Sequence, residues 1–91
     1  MNPKELENDQ LTYLKKKIVE LNTELKLLIQ KRKDITITYS QKIRNTDNNN
    51  LKCNYRLLKI KELEVLQLEK DKKKHEIELL KIEIAFIIDK L

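Results

Sequence analysis

The six residues NTDNNN, Asn45 to Asn50, form the longest run in this 91-residue chain with neither a basic nor an apolar side chain, and they stand almost at its middle. Asn is a weak helix former that bonds readily to its own backbone in turns and tolerates a left-handed conformation. Six residues of Asn, Thr and Asp in succession therefore mark a break where the chain turns back.

What flanks the break is helical by its spacing. Upstream, Leu11, Leu14, Ile18, Leu21, Leu25 and Leu28 follow a 3,4 alternation that continues through Arg32, Ile35, Tyr39 and Lys42. This is the seam of a coiled-coil helix. It predicts a first helix over about residues 3–44, with Pro3 suited to the opening turn. DITITYS, Asp34 to Ser40, alternates β-branched and polar residues as a strand does, but without a matching strand nearby it reads as a weaker stretch of the same helix. Downstream, Leu63, Leu66, Ile77, Leu80, Ile84, Ile87 and Leu91 share one heptad frame whose positions 70 and 73 are both Lys. The predicted second helix, about 51–91, thus carries a charged gap at EKDKKKHE. That gap reads as a solvated helical stretch or as a second break near residues 70–75. Leu51, Tyr55, Leu57, Leu58, Ile60 and Leu63 wrap more than one face, which implies more than one neighbour.

The expected fold is all-α: one domain, residues 1–91, made of two long antiparallel helices joined by a turn near 45–50. Helices of about 42 residues are roughly 60 Å long. With the turn centred near residue 48, facing residue numbers sum to about 96, which sets Arg32 near Glu64, Tyr39 near Leu57, and Ile18 near Ile77 and Leu80. Glu64 would then neutralise a cation in the seam and help fix the register. The alternative is one continuous rod with a frayed centre.

Composition supports helix and excludes several classes. There is no Gly, one Pro and 38% charge, which disfavours barrels, sandwiches and Gly-rich phosphate loops, whose turns require positive φ. A 40% apolar content is too high for a disordered chain. The N-terminal MNPKELENDQ lacks the apolar stretch of a signal or anchor. IELLKIEIAFIIDKL, from Ile77, carries five charges in 15 residues, where a membrane span needs about 20 mostly apolar ones. Cys53 is single, so no internal disulfide or multi-cysteine zinc site forms and a reducing, cytoplasmic or nuclear setting is expected. The net charge of +5 lies mainly in the first half of the chain, a mild bias rather than the dense field of a dedicated nucleic-acid binder.

No residue pattern indicates catalysis, and no cofactor or metal is expected. His75 has Asp71 and Glu78 one helical turn away on either side, but no second His or nearby Cys joins them, so it reads as a surface histidine. Cys53 has no His close in sequence to activate it. The triplets Lys15–Lys17, Lys31–Lys33 and Lys72–Lys74 each point in three directions on a helix, and the three tyrosines form no stacking platform.

The run LKKKIVELNTELKLLIQKRKDI, Leu14 to Ile35, resembles the long first helix of the small all-helical chorismate mutases. That resemblance implies a carboxylate grip by basic residues 17 apart, here Lys15 and Arg32. The chain then departs from the family pattern: Ile43 stands where it has a lysine, and Lys52, Tyr55 and Arg56 stand where it has its Asp and Arg-Glu group. The same helix is similar, more loosely, to that of the two-helix ribosomal protein of the tunnel exit, whose basic second helix this chain lacks.

A two-helix hairpin cannot cover its own apolar surface. Val19, Leu27, Ile29, Ile37, Leu79, Ile82 and Phe86 fall off the seam. The expected function is that of a structural or scaffold protein whose hairpin pairs with itself or with another helical subunit to build a bundle. The expected interaction residues are Arg32, Glu64, Ile82 and Phe86, with Tyr55, Leu58 and Ile60 as a second patch. A basic helical arm for RNA or DNA is the alternative, and a chorismate mutase-like enzyme a remote one.

Overall fold

The computed structural model describes residues 3–90, with side chains from Glu5 onwards. The chain is an all-α hairpin: α1, Pro3–Arg44, packs antiparallel against α2, Asn49–Lys90, in a body of 70 × 15 × 14 Å. Each helix has 42 residues. Leu91, the last residue of the expected second seam, lies outside the described residues.

The break at the centre is shorter than NTDNNN, because Asn48 already caps α2. Its Oδ1 accepts hydrogen bonds from the backbone N–H groups of Asn50 (2.9 Å) and Leu51 (3.2 Å), while its carbonyl accepts the first helical bond from Lys52 (3.0 Å). Two of the orphan donors at the start of α2 are thereby satisfied. The Asn48 N–H in turn donates to the Thr46 hydroxyl (3.4 Å). Among the described residues none has a positive φ, so the turn is built from side-chain caps rather than from the left-handed conformations that Asn tolerates. α2 accordingly starts at Asn49, two residues before the expected 51.

The inner seam of α1 runs through Leu11, Leu14, Leu21, Leu28 and Tyr39, all buried, with Ile18, Leu25 and Ile35 half-buried between them. DITITYS stays helical. Near the turn the frame slips by one: Lys42 is exposed and Ile43 takes the inward place. On α2 the seam holds Leu63, Leu66, Lys70, Lys73, Ile77, Leu80, Ile84 and Ile87, all buried or half-buried.

The second break near 70–75 does not occur; α2 is continuous, and the charged gap is neither loop nor wholly solvated face. Lys70 is 8% exposed. Its four-carbon stem fills the place of an apolar residue while the ammonium reaches the edge of the seam, as long basic side chains do. Lys73 turns its ammonium onto the Glu24 carboxylate at 2.7 Å. The residue numbers of this cross-helix pair sum to 97, one from the expected 96.

Apolar packing is concentrated at the open end, where Leu11, Leu14 and Ile87 form a cluster flanked by Leu80 and Ile84. Beside the turn, Tyr39 meets Tyr55 with ring centroids 6.5 Å apart, and the Lys42 ammonium lies 5.2 and 5.8 Å from the two ring centres. Aromatic edges and a cation over two π-faces hold this end together.

Candidate interaction surface

Among the described residues, eight large apolar side chains are buried and sixteen are exposed. All seven residues expected off the seam, Val19, Leu27, Ile29, Ile37, Leu79, Ile82 and Phe86, are exposed by 45–66%. The second expected patch divides: Leu58 and Ile60 are exposed, whereas Tyr55 is half-buried in the aromatic contact with Tyr39.

The exposed residues of α2 are ordered. Val65, Leu68, Leu79, Ile82 and Phe86 each stand two residues after an inner-seam residue, and Leu51 and Leu58 continue the same frame towards the turn. Two residues further along a helix is about 200° round it. Because the inner seam keeps its heptad frame from Leu63 to Ile87, this outer stripe stays opposite α1 along the same length. α2 is therefore apolar on two opposite faces, and α1 covers only one. The polar members of the outer stripe are Asn54, Lys61, Lys72, His75 and Asp89, all exposed. Lys90 lies over the Phe86 ring at 4.5 Å from its centre.

Charge frames this stripe. Glu62, Glu69, Glu76 and Glu83 recur every seven residues along one edge, and Glu64, Asp71 and Glu78 along the other. Seven of the eight acidic residues of α2 lie on these two edges, and all seven are exposed. The first edge also faces α1: Lys17 shares a groove with Glu76 and Glu83, and Lys31 and Lys42 share one with Glu62. Burial and the nearby Glu62 carboxylate push the Tyr39 phenol above its usual range. The hydrogen bond to Glu24 holds the Lys73 ammonium above the ordinary lysine range, against the opposing effect of its partial burial; the Glu24, Glu76 and Glu69 charges add to the rise.

Arg32 and Glu64 are both exposed, and the cross-helix ion pair of the described residues is Lys73–Glu24, not Arg32–Glu64. Arg32 instead lines an open groove with Ile29, Lys33, Thr36, Ile37 and Lys70. With Lys70 already buried beside it, a second cation is more stable outside the seam, where water solvates it. Lys15 is exposed as well, so neither basic residue of the chorismate mutase resemblance points into an enclosed site.

Folding also redistributes the charge read along the chain. Residues 31–61, the turn end of the hairpin, hold nine Lys and Arg against two Asp, a net +7; residues 1–30 are neutral and residues 62–91 carry −2. Counting by sequence halves hides this, because the basic stretch straddles the turn. His75 and Cys53 are exposed, and no three of His, Cys, Asp and Glu gather as a metal site among the described residues. No described helix is long and apolar enough to cross a membrane. No protein-family model, no curated protein and no solved structure matches the chain.

Proposed function

We propose that this chain is a structural assembly protein whose hairpin completes a bundle of four or more helices with further copies of itself or with another helical subunit. The outer stripe of α2 carries this reading. Leu58, Val65, Leu68, Leu79, Ile82 and Phe86 make an apolar line along an exposed helix, interrupted by Lys61, Lys72 and His75, and lines of this kind on soluble proteins are covered by partners. A hairpin that leaves twice as many large apolar side chains exposed as buried among its described residues gains further stability by association.

The test is a double substitution, Ile82→Ser with Phe86→Ser. Both residues stand outside the inner seam at 64% and 62% exposure, so the variant keeps its helix content by circular dichroism. Truncating a packed Phe costs about 3–5 kcal/mol, enough to abolish micromolar association in sedimentation velocity. A double variant that assembles like the parent, or a parent that is a cooperatively folded monomer, would overturn the proposal.

One observation favours a second reading, a basic arm that binds RNA or DNA: the net +7 of the turn end, residues 31–61. Binding through it would weaken steeply with salt as counterions are released. Self-association of the chain in the absence of nucleic acid is the signature of the first reading.

A further inference from the structure

We infer that the occupant of the outer stripe of α2 is the outer face of α1 from a second copy, so that hairpins assemble side by side with every turn at the same end. This rests on the assembly reading above and names its partner.

A second α2 is the wrong occupant. Two α2 stripes packed antiparallel about their middle bring Glu62 towards Glu83 and Glu69 towards Glu76 along one edge and Asp71 towards Glu78 along the other. Packed in parallel, one acidic edge meets the other. Like charges along both borders of a coiled-coil seam destabilise it in either orientation.

The outer face of α1 has the complementary chemistry. By the same two-residue rule it presents Tyr13, Leu27 and Ile37 as its apolar members, with Glu20 and Asp34 between them and Lys16, Thr23, Gln30, Gln41 and Arg44 filling the remaining positions, all exposed. Its borders include Lys17 and Lys31 on one side and Lys26 and Lys33 on the other. Set antiparallel to α2 with residue numbers summing to 95, its apolar residues meet apolar ones: Tyr13 with Ile82, Leu27 with Leu68, Ile37 with Leu58. Among the polar members of the α2 stripe, Lys61 meets Asp34, His75 meets Glu20 and Lys72 meets Thr23, while Val65 and Leu79 lie against the stems of Gln30 and Lys16 and Phe86 reaches Asp9. Along the borders Lys26 comes to Asp71, Lys33 to Glu64, Lys17 to Glu76 and Lys31 to Glu62. Glu24, which falls beside Glu69, already carries Lys73 as its counter-ion.

This register lies two residues from the hairpin's own, in which Lys73 and Glu24 sum to 97. Neighbouring copies are thus offset axially by only about 3 Å, and they stack as parallel hairpins in which α1 and α2 alternate.

Two measurements on the full chain test the arrangement. Cys53 is single and exposed, so a nitroxide there reports on neighbouring copies. Side-by-side hairpins place successive α2 helices two helix spacings apart, a distance of about 20 Å. An antiparallel α2–α2 pair places the labels about 60 Å apart, and a parallel one about 10 Å apart. The second measurement is a charge exchange at exposed positions. Asp34→Lys and Lys61→Asp each weaken self-association about tenfold, and the double variant restores it. Label distances near 20 Å with restoration in the double variant are the expected result. An assembled protein with labels at about 60 Å or about 10 Å, or with no restoration, overturns this arrangement and leaves the bundle reading standing. A folded monomer at all concentrations overturns both.

Discussion

Replacing Lys70 by Leu is expected to stabilise the hairpin. Lys70 occupies an inner-seam position at 8% exposure, beside Arg32 and Lys33, which line the same groove. Among the described residues its cation makes no ion pair or hydrogen bond, and none of their buried side-chain nitrogens or oxygens lacks a partner, so the ammonium lies at the wet edge of the seam. The stem is already packed, which means that the gain comes from three smaller sources. Leu loses less side-chain entropy on ordering than Lys, by about 1 kcal/mol. It adds branched apolar volume where Leu66 and Ile77 already mark the stripe, at about 0.8 kcal/mol for each further methylene-sized group buried. It also removes one of three neighbouring cations. A net stabilisation of about 1–2 kcal/mol follows, or roughly 4–16 °C in melting temperature for a chain this small. Circular dichroism melts at one fixed protein concentration are the assay, since association makes the midpoint depend on concentration. A lower melting temperature for Lys70→Leu would refute the reasoning, for it would mean that the ammonium makes a contact the seam requires.

Asn48→Ala removes the acceptor of two N–H groups and should cost about 1 kcal/mol, read as a lower urea midpoint with an unchanged slope; Asn48→Ser should recover most of it. The Lys73–Glu24 pair supplies the pH dependence. A folded-state pKa raised above the unfolded one means that Lys73 contributes its full stability below the ordinary lysine range, and loses it only as pH rises through the elevated value. Titrating stability between neutral and strongly alkaline pH in the parent and in Glu24→Gln should therefore show two curves that converge at the alkaline end. Curves that stay parallel throughout would assign the difference to something other than Lys73.

Much of the hairpin was legible because its signals are periodic. The alternation from Leu11 to Leu28 and the polar run at 45–50 placed both helices and the turn, and the centre of that run set the register to within two residues: Lys73 and Glu24 sum to 97, whereas Tyr39 meets Tyr55, at 94, in place of the expected Leu57, which is exposed. Lys70 and Lys73 were misleading for a physical reason. Charge argues for solvent, but a lysine stem is apolar over most of its length, and a helix with a seam on both sides of the gap has nothing to gain by opening. Arg32 was placed in the seam with Glu64 because spacing alone cannot show that a neighbouring Lys70 fills the room first. The outer stripe of α2 was visible only in pieces. Ile82, Phe86 and Leu58 stood out by type, yet their membership of one line with Val65, Leu68 and Leu79 emerges when the inner seam is fixed and everything two residues beyond it is marked. The basic turn end was hidden by reading the chain as two halves.

The position of the apolar cluster bears on how the hairpin closes. Leu11 and Leu14 join Ile87 at the end farthest from the turn, so the best contacts enclose more than 70 residues of chain. Tyr39 and Tyr55 enclose about 15. Closure entropy grows with the logarithm of loop length, and the longer loop costs about 1.4 kcal/mol more, near a tenfold handicap in rate. The cheaper route begins at the aromatic pair and zips outwards past Leu66, which is 3% exposed, and through the Lys70 and Lys73 layers to the open-end cluster. On this route the open-end cluster forms last, setting how slowly the closed hairpin comes apart rather than how fast it forms.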